Sequence, residues 1–498
     1  MNSHKRSLGA RTLTILTLLA LLIVLTAALP TVSAQSEHPL AGQEIDMAVL
    51  GLAGWLPSSL GVEMASELFA PYALENYGYT VNFSFAGAPF DQLFQLAAAS
   101  LATRSAEYNI IISDSQWLGA LAEPGWIVDI DELIVNGIPD LGIAPQPNLD
   151  IDWYTSVVPD TYMTYPNGSG QLWGLPEEGD VQALFVRTDY TSNPDEMAAF
   201  EAEYGWPIPQ TFEDYENLTM DQFEQLAAFF TRPEDDIYGV IMQHSKGYDY
   251  LTMQLYPFML SRGGQIWNPE TRDVYGYLNT PVNAEALEWN RRMLNYGPPG
   301  GLDIGIAENV NFFVEGKGVF AIQWAAVGLV MLTDENRDNV IVVPPPTFLQ
   351  EDGSTNRIWS MGGQPWVLNA YNDAAHMQVA VDFLNWWYLP ETQLEYARRG
   401  GNPTDAATLN SPEFEQLNPW NQAYKYMLQP DRATDFWHEP NYSEMLALQQ
   451  EAFSAYASGQ TDDAVNVLEW IACQQQAILY DNARTETPAP DSCEDVSY

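Results

Sequence analysis

Between Ile45 and Ile112 the hydrophobic period of the chain switches back and forth between that of a strand and that of a helix, and this alternation narrows the architecture sharply. Ile45 to Leu50 reads as a buried strand, and Val62 to Asn76 carries Met64, Leu68 and Tyr72 at helical spacing. Tyr79 to Phe85 alternates as a second strand. Asp91 to Leu101 places Leu93, Phe94, Ala97 and Leu101 on one helical face, and Asn109 to Ile112 is a third short apolar strand. Strand and helix in turn predict an α/β fold with a parallel sheet. In such open sheets the ligand crevice lies beyond the carboxyl ends of the strands. Ser113, Asp114, Ser115, Gln116 and Trp117 follow the third strand and are therefore cleft candidates, while Asp114 or Ser115 serves equally well as a helix cap.

Further on, Thr219 and Gln222 form a possible capping box ahead of Phe223, Leu226, Ala227 and Phe230, opening a second, helix-rich region. Val319 to Trp324 and Val340 to Val343 read as strands, and Met377, Ala380, Val381, Leu384 and Trp387 form a helical stripe. Tyr442 to Tyr480 reads as two amphipathic helices, and Thr485 to Asp491 as a frayed tail.

The chain opens with Lys5, Arg6 and Arg11, continues through a largely apolar stretch from Leu13 to Leu29, and reaches the small-residue exit Val32-Ser33-Ala34. This is the pattern of a secretory signal, residues 1–34, with the mature chain expected to begin at Gln35. The alternative is an uncleaved N-terminal anchor. No cysteine near the exit offers a site for lipid attachment, so the expected location is periplasmic or extracellular. The formal net charge of −47 argues against nucleic acid or an anionic membrane as a partner. Such acidity suits a saline medium, where salt screens self-repulsion, and it is equally what a lineage-wide bias would produce. The only cysteines, Cys473 and Cys493, lie close together in sequence, and an oxidising compartment predicts one disulfide between them.

Motifs of catalysis are missing: there is no G-x-S-x-G, H-E-x-x-H, phosphate-binding loop or dinucleotide fingerprint. Glu177, Glu178 and Asp180 could be drawn as the acid and base of a glycosidase. The Asp129, Asp131 and Glu132 run lacks the glycine of a calcium loop and reads as a solvated face. No metal site and no cofactor are expected. The 16 Trp, 26 Tyr and 20 Phe are many for so acidic a chain, and several sit beside amides, glycines or prolines. An indole or phenol stacks on the C–H face of a sugar while carboxylates and amides take its hydroxyls. For a single Trp, burial in the core is the commoner fate. The clusters at Trp55, at Gln323-Trp324 and from Trp359 through Gly363 and Gln364 to Trp366 are the better candidates.

The order of several segments resembles the extracellular solute-binding proteins of carbohydrate ABC importers, the family that includes maltose-binding protein. They are "YNIIISDSQWLGALAEPGWIVDIDEL" at 108–133, "LWGLPEEGDVQALFVRTD" at 172–189, "PQTFEDY" at 209–215, "SRGGQIWNP" at 261–269, "FVEGKGVFAIQW" at 313–324, "WSMGGQPWVLNA" at 359–370 and "AVDFLNWWYLPETQLEYARRGGNPT" at 380–404. The resemblance implies a two-lobed periplasmic-binding-protein fold with hinge-crossing segments and a ligand cleft between the lobes. Lobe one would be 35–180 with 364–402, and lobe two 181–363 with 403–498. Family ligand contacts map onto Asp114, Gln116, Trp117, Asp180, Gln182, Trp324, Gly363 and Gln364, with Trp55, Trp359, Trp366 and Trp437 as looser aromatic candidates.

The function so implied is capture of a small-molecule sugar outside the cytoplasm and its delivery to the permease subunits of an ABC importer. A monomer is expected, not an enzyme, which meets the membrane only through the permease or an unprocessed signal. The alternatives are a secreted glycoside hydrolase and a ligand-sensing partner of a membrane receptor. The identity of the sugar is left open, as is a polyol or an amine in its place.

Overall fold

The computed structural model describes residues 38–498 apart from Phe436, so the expected signal segment and its cleavage point lie outside the described residues. Among the described residues the strands are, in chain order, β1 (Glu44–Leu52), β2 (Thr80–Ala88), β3 (Ile110–Ile112), β4 (Leu175–Pro176), β5 (Asp180–Arg187), β6 (Tyr238–Ile241), β7 (Gly318–Trp324), β8 (Val340–Val343), β9 (Phe348–Leu349), β10 (Thr355–Asn356), β11 (Trp359–Gly362), β12 (Pro365–Leu368) and β13 (Ala433–Thr434). They form two main sheets. The first has the order β2-β1-β3-β12-β4, and the second β13-β11-β5-β7-β6 with β8 also on β5.

The expected parallel sheet is present in β1, β2 and β3. The first sheet is nonetheless mixed, because β12 and β4 add antiparallel pairs. The reason is topological: β12 arrives from the second sheet, not through a helical crossover, and so is free to run against β3. The helix predicted from Val62 begins earlier, at Leu56, and runs on to Asn76 through a π turn at Ala65–Phe69. Pro57 sits in its first turn, where a missing N–H breaks no helical bond.

Each sheet has its own aromatic core. The helix Ala374–Trp387 covers the first, with Phe383 5.5 Å from Phe69, 5.7 Å from Phe83 and 5.2 Å from Trp366. On the second, Phe320 of β7 meets Phe223 at 5.4 Å and Phe230 at 6.0 Å, both from the helix Met220–Phe230. That helix opens with the Thr219–Gln222 capping box. Fully burying each such ring contributes about 1.5–3 kcal/mol toward holding the covering helices on their sheets.

The chain passes between the sheets twice in adjacent positions. Pro176 of β4 and Asp180 of β5 bound the first passage, and Gly362 of β11 and Pro365 of β12 the second. They run side by side, with Asp180 opposite Gly362 and Pro176 opposite Pro365. The amides of Glu177 and Glu178 both donate to the Gln364 carbonyl, at 2.7 and 3.2 Å. Gly363 adopts φ +127°, and a Cβ there would come within 2.9 Å of the Glu178 carbonyl oxygen. Only glycine fits this turn. A third segment joins them where the Gly179 amide donates to the Asn402 carbonyl at 3.0 Å.

The C-terminal region forms two helices, Tyr442–Ala457 and Ala464–Asp481. Cys473 is bonded to Cys493. The segment read as a frayed tail is instead docked at its start: buried Thr485 donates to Asp273 at 2.6 Å, and Gln476 donates to the Thr487 carbonyl at 2.7 Å. Composition suggested fraying, but these side-chain bonds hold the backbone down. Among the described residues no helix is long and apolar enough to cross a membrane.

Candidate functional site

A cavity of about 520 Å³ opens between the two sheets, and its walls come from strand ends. On the first-sheet side, Trp55 and Pro57 follow β1, Phe90 follows β2, and Asp114 and Gln116 follow β3. On the second-sheet side, Trp324 closes β7, and Ala326, Val327 and Val330 follow it. The helix Tyr250–Ser261 adds Tyr250 and Met253, with Asp249 at its N-cap position, and the helix Ile306–Val314 adds Ile306, Ala307, Val310 and Asn311. The floor is the pair of passages, with Glu178, Asp180, Gly362, Gly363 and Gln364.

Seven of the residues singled out from the sequence meet here: Trp55, Asp114, Gln116, Asp180, Trp324, Gly363 and Gln364. The other five do not line the cavity. Trp117 is buried beneath it, 6.0 Å from Phe90, and donates its Nε1 hydrogen to the Tyr248 hydroxyl at 2.9 Å. Gln182 is buried in β5 and donates to the Met253 carbonyl at 3.2 Å. Trp359 packs 6.0 Å from Phe258 and donates to the Pro346 carbonyl. Trp366 sits edge-on to Phe383 and Trp387 in the first core, and Trp437 is fully buried. A glycine or amide beside a tryptophan therefore marked core as often as cleft. Asp249, Tyr250, Phe90 and Glu178 were not among the residues assigned to the cleft. The strand-end rule, applied to β2 as it was to β3, reaches Phe90 directly.

The acids and glutamines of the site are almost wholly buried. Asp114 caps the turn after β3, accepting from the Gln116 amide at 3.0 Å, so its capping role and its place in the cleft coexist. Gln116 donates its Nε2 hydrogen to Asp249 Oδ2 at 2.7 Å, which ties the first-sheet side to the second. Trp55 donates to Glu178 Oε1 at 2.6 Å, and Asp180 Oδ1 accepts from the amides of Val181 and Ala326 at 2.9 and 3.1 Å. The remaining oxygens Gln116 Oε1, Glu178 Oε2, Asp180 Oδ2 and Gln364 Oε1 have no partner within the protein. A buried acceptor without a donor costs about 1–3 kcal/mol, more when charged, so such a set calls for a ligand or for protonation.

Burial decides the ionisation of these acids. It pushes Asp180 up to about 8 against three backbone N–H groups that favour the anion, and it pushes Asp249 up to about 7. Asp114 is raised well above the usual carboxylate range by burial and then by the charges of Asp249 and Asp435. Glu178 is raised by burial and then by Asp180 and Glu177. No arginine or lysine contributes to any of these four shifts. The Asp129, Asp131 and Glu132 run is tied down locally: Asp129 caps its helix, and Asp131 accepts from the Leu172 amide at 3.0 Å.

A family model described as bacterial extracellular solute-binding protein matches residues 62–394, well over half of the chain. No curated protein sequence matches it significantly. Several solved structures are similar in fold. A maltose-bound MalE3 of T. maritima is 17% identical, covering 87% of this chain and 100% of that one at a TM-score of 0.67. An ABC transporter solute-binding protein of Agrobacterium radiobacter in complex with ribitol is 16% identical, covering 88% and 100% at 0.65. The GacH receptor of Streptomyces glaucescens, solved unliganded and with acarbose, is 13% identical, covering 88% and 99% at 0.65. At these identities the likeness establishes a shared fold.

Proposed function

This chain belongs to the bacterial extracellular solute-binding proteins, and from that membership we propose that it captures a carbohydrate or polyol and delivers it to the permease subunits of an ABC importer. The observation that carries the reading is the cavity between the sheets, where the indoles of Trp55 and Trp324 share the walls with buried, unpartnered carboxylate and amide oxygens. Indoles suit the C–H faces of a sugar ring, and the oxygens take its hydroxyl hydrogens. The similar structures that hold maltose and ribitol support the same class of ligand.

The sheet membership of the strands supports lobes of 35–180 with 364–402 and 181–363 with 403–498, hinged at the paired passages. The Gln116–Asp249 bond spans the two lobes, as a closed form requires. The protein works as a monomeric binder outside the cytoplasm and performs no catalysis. Closing two lobes over a hydroxylated ligand reaches micromolar affinity, about −8 kcal/mol, without a reacting group.

A thermal-shift screen of residues 35–498 against sugars and polyols tests this reading. A ligand at 100 times its Kd adds about 2.7 kcal/mol and raises the melting temperature. Silence across the whole panel at millimolar concentration, or release of reducing ends from an oligosaccharide, would contradict it.

A further inference from the structure

We propose that the cleft selects a hydroxylated ligand that carries a protonated amine, an amino sugar or aminocyclitol by class, with the ammonium held among Asp114, Glu178, Asp180 and Asp249. The proposal rests on the binding-protein reading and narrows its ligand.

The first observation is the sign of the lining. Four carboxylates face the cavity, and among its lining residues there is no lysine, arginine or histidine. The second is the kind of hydrogen bonding left unsatisfied. A neutral sugar hydroxyl both donates and accepts, so a site built for it offers both kinds of partner. Here the lining atoms that are buried and unpartnered are all oxygens: Gln116 Oε1 and Gln364 Oε1, which only accept, and Glu178 Oε2 and Asp180 Oδ2, which become acceptors alone once their carboxyls ionise. The Gln116 amide is oriented by its Nε2–H bond to Asp249, so its oxygen is the free end. An ammonium group brings three donors and no acceptor, which matches that set.

The third observation is the surroundings of the acids. Asp114 faces Asp249, Asp435, Tyr248 and Tyr442, and the Glu178–Asp180 pair faces Glu177, Tyr162, Tyr396 and Tyr424. Among the described residues, Asp435 also faces His438, at 3.5 Å. Carboxylates buried this way, with raised pKa values, are the state expected of a site whose counter-charge arrives with the ligand. The rest of the wall, including Met253, Val310 and the two indoles, is suited to the carbon skeleton of the ligand, and the net charge of −47 attracts a cation from a distance.

Matched ligands isolate the charge. Residues 35–498 are titrated calorimetrically at pH 7 with the glucosamine monomer and its β-1,4-linked dimer, each against its 2-hydroxyl counterpart, glucose or cellobiose, and its N-acetyl counterpart. The aminocyclitol 2-deoxystreptamine is run against myo-inositol. At least one amine is expected to bind ten times more tightly than its neutral counterparts. Its binding should release protons, seen as a dependence of the heat on buffer ionisation, because the acids ionise on meeting the cation. Glu178→Gln and Asp180→Asn should each move the amine-to-neutral ratio toward one, with apo melting curves confirming that the variants fold. A neutral sugar that binds as tightly as its amine overturns this proposal and leaves the sugar-binding reading standing. An amine preference that both variants retain overturns the assignment of the acids. If no member of this panel binds while the sugar and polyol screen yields a ligand, this proposal falls and the sugar reading stands; silence in both overturns both.

Discussion

The two passages between the sheets and the C-terminal helix pair both bury many polar side chains, but the helix pair satisfies most of them within the protein and the passages leave several open toward a cavity. In the C-terminal region Gln449 donates to Thr252 at 2.9 Å and accepts from Tyr256 at 2.7 Å and Gln475 at 2.8 Å. Gln476 takes the amides of Val274 and Tyr275, and Gln450 accepts from Thr252 while donating to the Tyr248 carbonyl. At the passages, Glu178 and Asp180 each keep one buried oxygen without a donor, and Gly363 holds a backbone angle open only to glycine. Apart from Gln475 Oε1, which has no partner, these glutamines are paired within the protein, and networks so nearly complete make a rigid scaffold. Groups left incomplete beside a cavity store a demand that a ligand meets. The comparison assigns stability to one region and binding to the other, and it can be broken from either side.

The largest effect is expected in the scaffold. Phe453 is fully buried in the helix Tyr442–Ala457, and Phe453→Ala should lower unfolding stability by about 3–5 kcal/mol. Ligand affinity should stay within twofold at a temperature where the variant is folded. Chemical denaturation paired with calorimetry measures both, and a large loss of affinity would show that the helix pair belongs to the site. Next in size is the disulfide, which joins cysteines 20 residues apart. A loop of that length is worth about 3 kcal/mol in the chain-entropy view. Cys473→Ser with Cys493→Ser should therefore melt lower and still bind.

A smaller effect is expected at the floor, and it reverses sign. Asp180 titrates at about 8 in the folded protein against 3.8 for the free group, with burial as the leading cause. Between those values the folded state holds a proton that the unfolded chain has lost, so unfolding stability falls as pH rises from about 4 to about 8. Asp249, at about 7, adds to the same slope. Asp180→Asn should flatten the slope and raise apo stability at pH 9, by about 1–3 kcal/mol, because no buried charge then forms at that position. Melting curves from pH 4 to 9 measure it, and an apo protein that grows steadily more stable over that range would contradict the burial of these acids.

Much of the scaffold was legible in the sequence because it is periodic. The strands at Ile45, Tyr79 and Asn109, the capping box at Thr219 and the stripe ending at Trp387 all follow from local pattern, and β1, β2 and β3 do lie parallel. The antiparallel arrival of β12 was not legible, since nothing local tells a strand that its partner lies in another part of the chain. The site was legible only where a strand end exposed it, as at Asp114 after β3. Phe90 and Trp55 obey the same rule after β2 and β1. Asp249 does not: an acid ahead of a helix reads as an ordinary cap, and only the packing of that helix against the cleft gives it another role. Gln182 shows the converse, because β5 is buried on both faces and its period cannot say which face meets the ligand.

The smallest effect concerns an aromatic wall, and it separates the two regions most cleanly. Trp324 lies at the end of β7 with 9% of its surface exposed, and its ring lies over Gly362, where an added Cβ would come within 3.3 Å of it. It lines the cavity together with Met253 and Val327, so truncation enlarges a space that is already open and adds little to the apo cavity energy. A sugar ring stacked on the indole would lose about 0.5–1.5 kcal/mol of aromatic contact together with the buried area. Trp324→Ala should thus weaken binding at least tenfold, about 1.4 kcal/mol, while the apo melting temperature changes by much less than in Phe453→Ala. Trp359→Ala is the control: that ring is fully buried against Phe258, and its loss should lower apo stability by about 3–5 kcal/mol. Calorimetric titration with apo melting curves distinguishes them. If Trp324→Ala instead melts as low as Trp359→Ala and binds normally, the indole at the end of β7 belongs to the scaffold, and the division between a completed region and a waiting one fails at that wall.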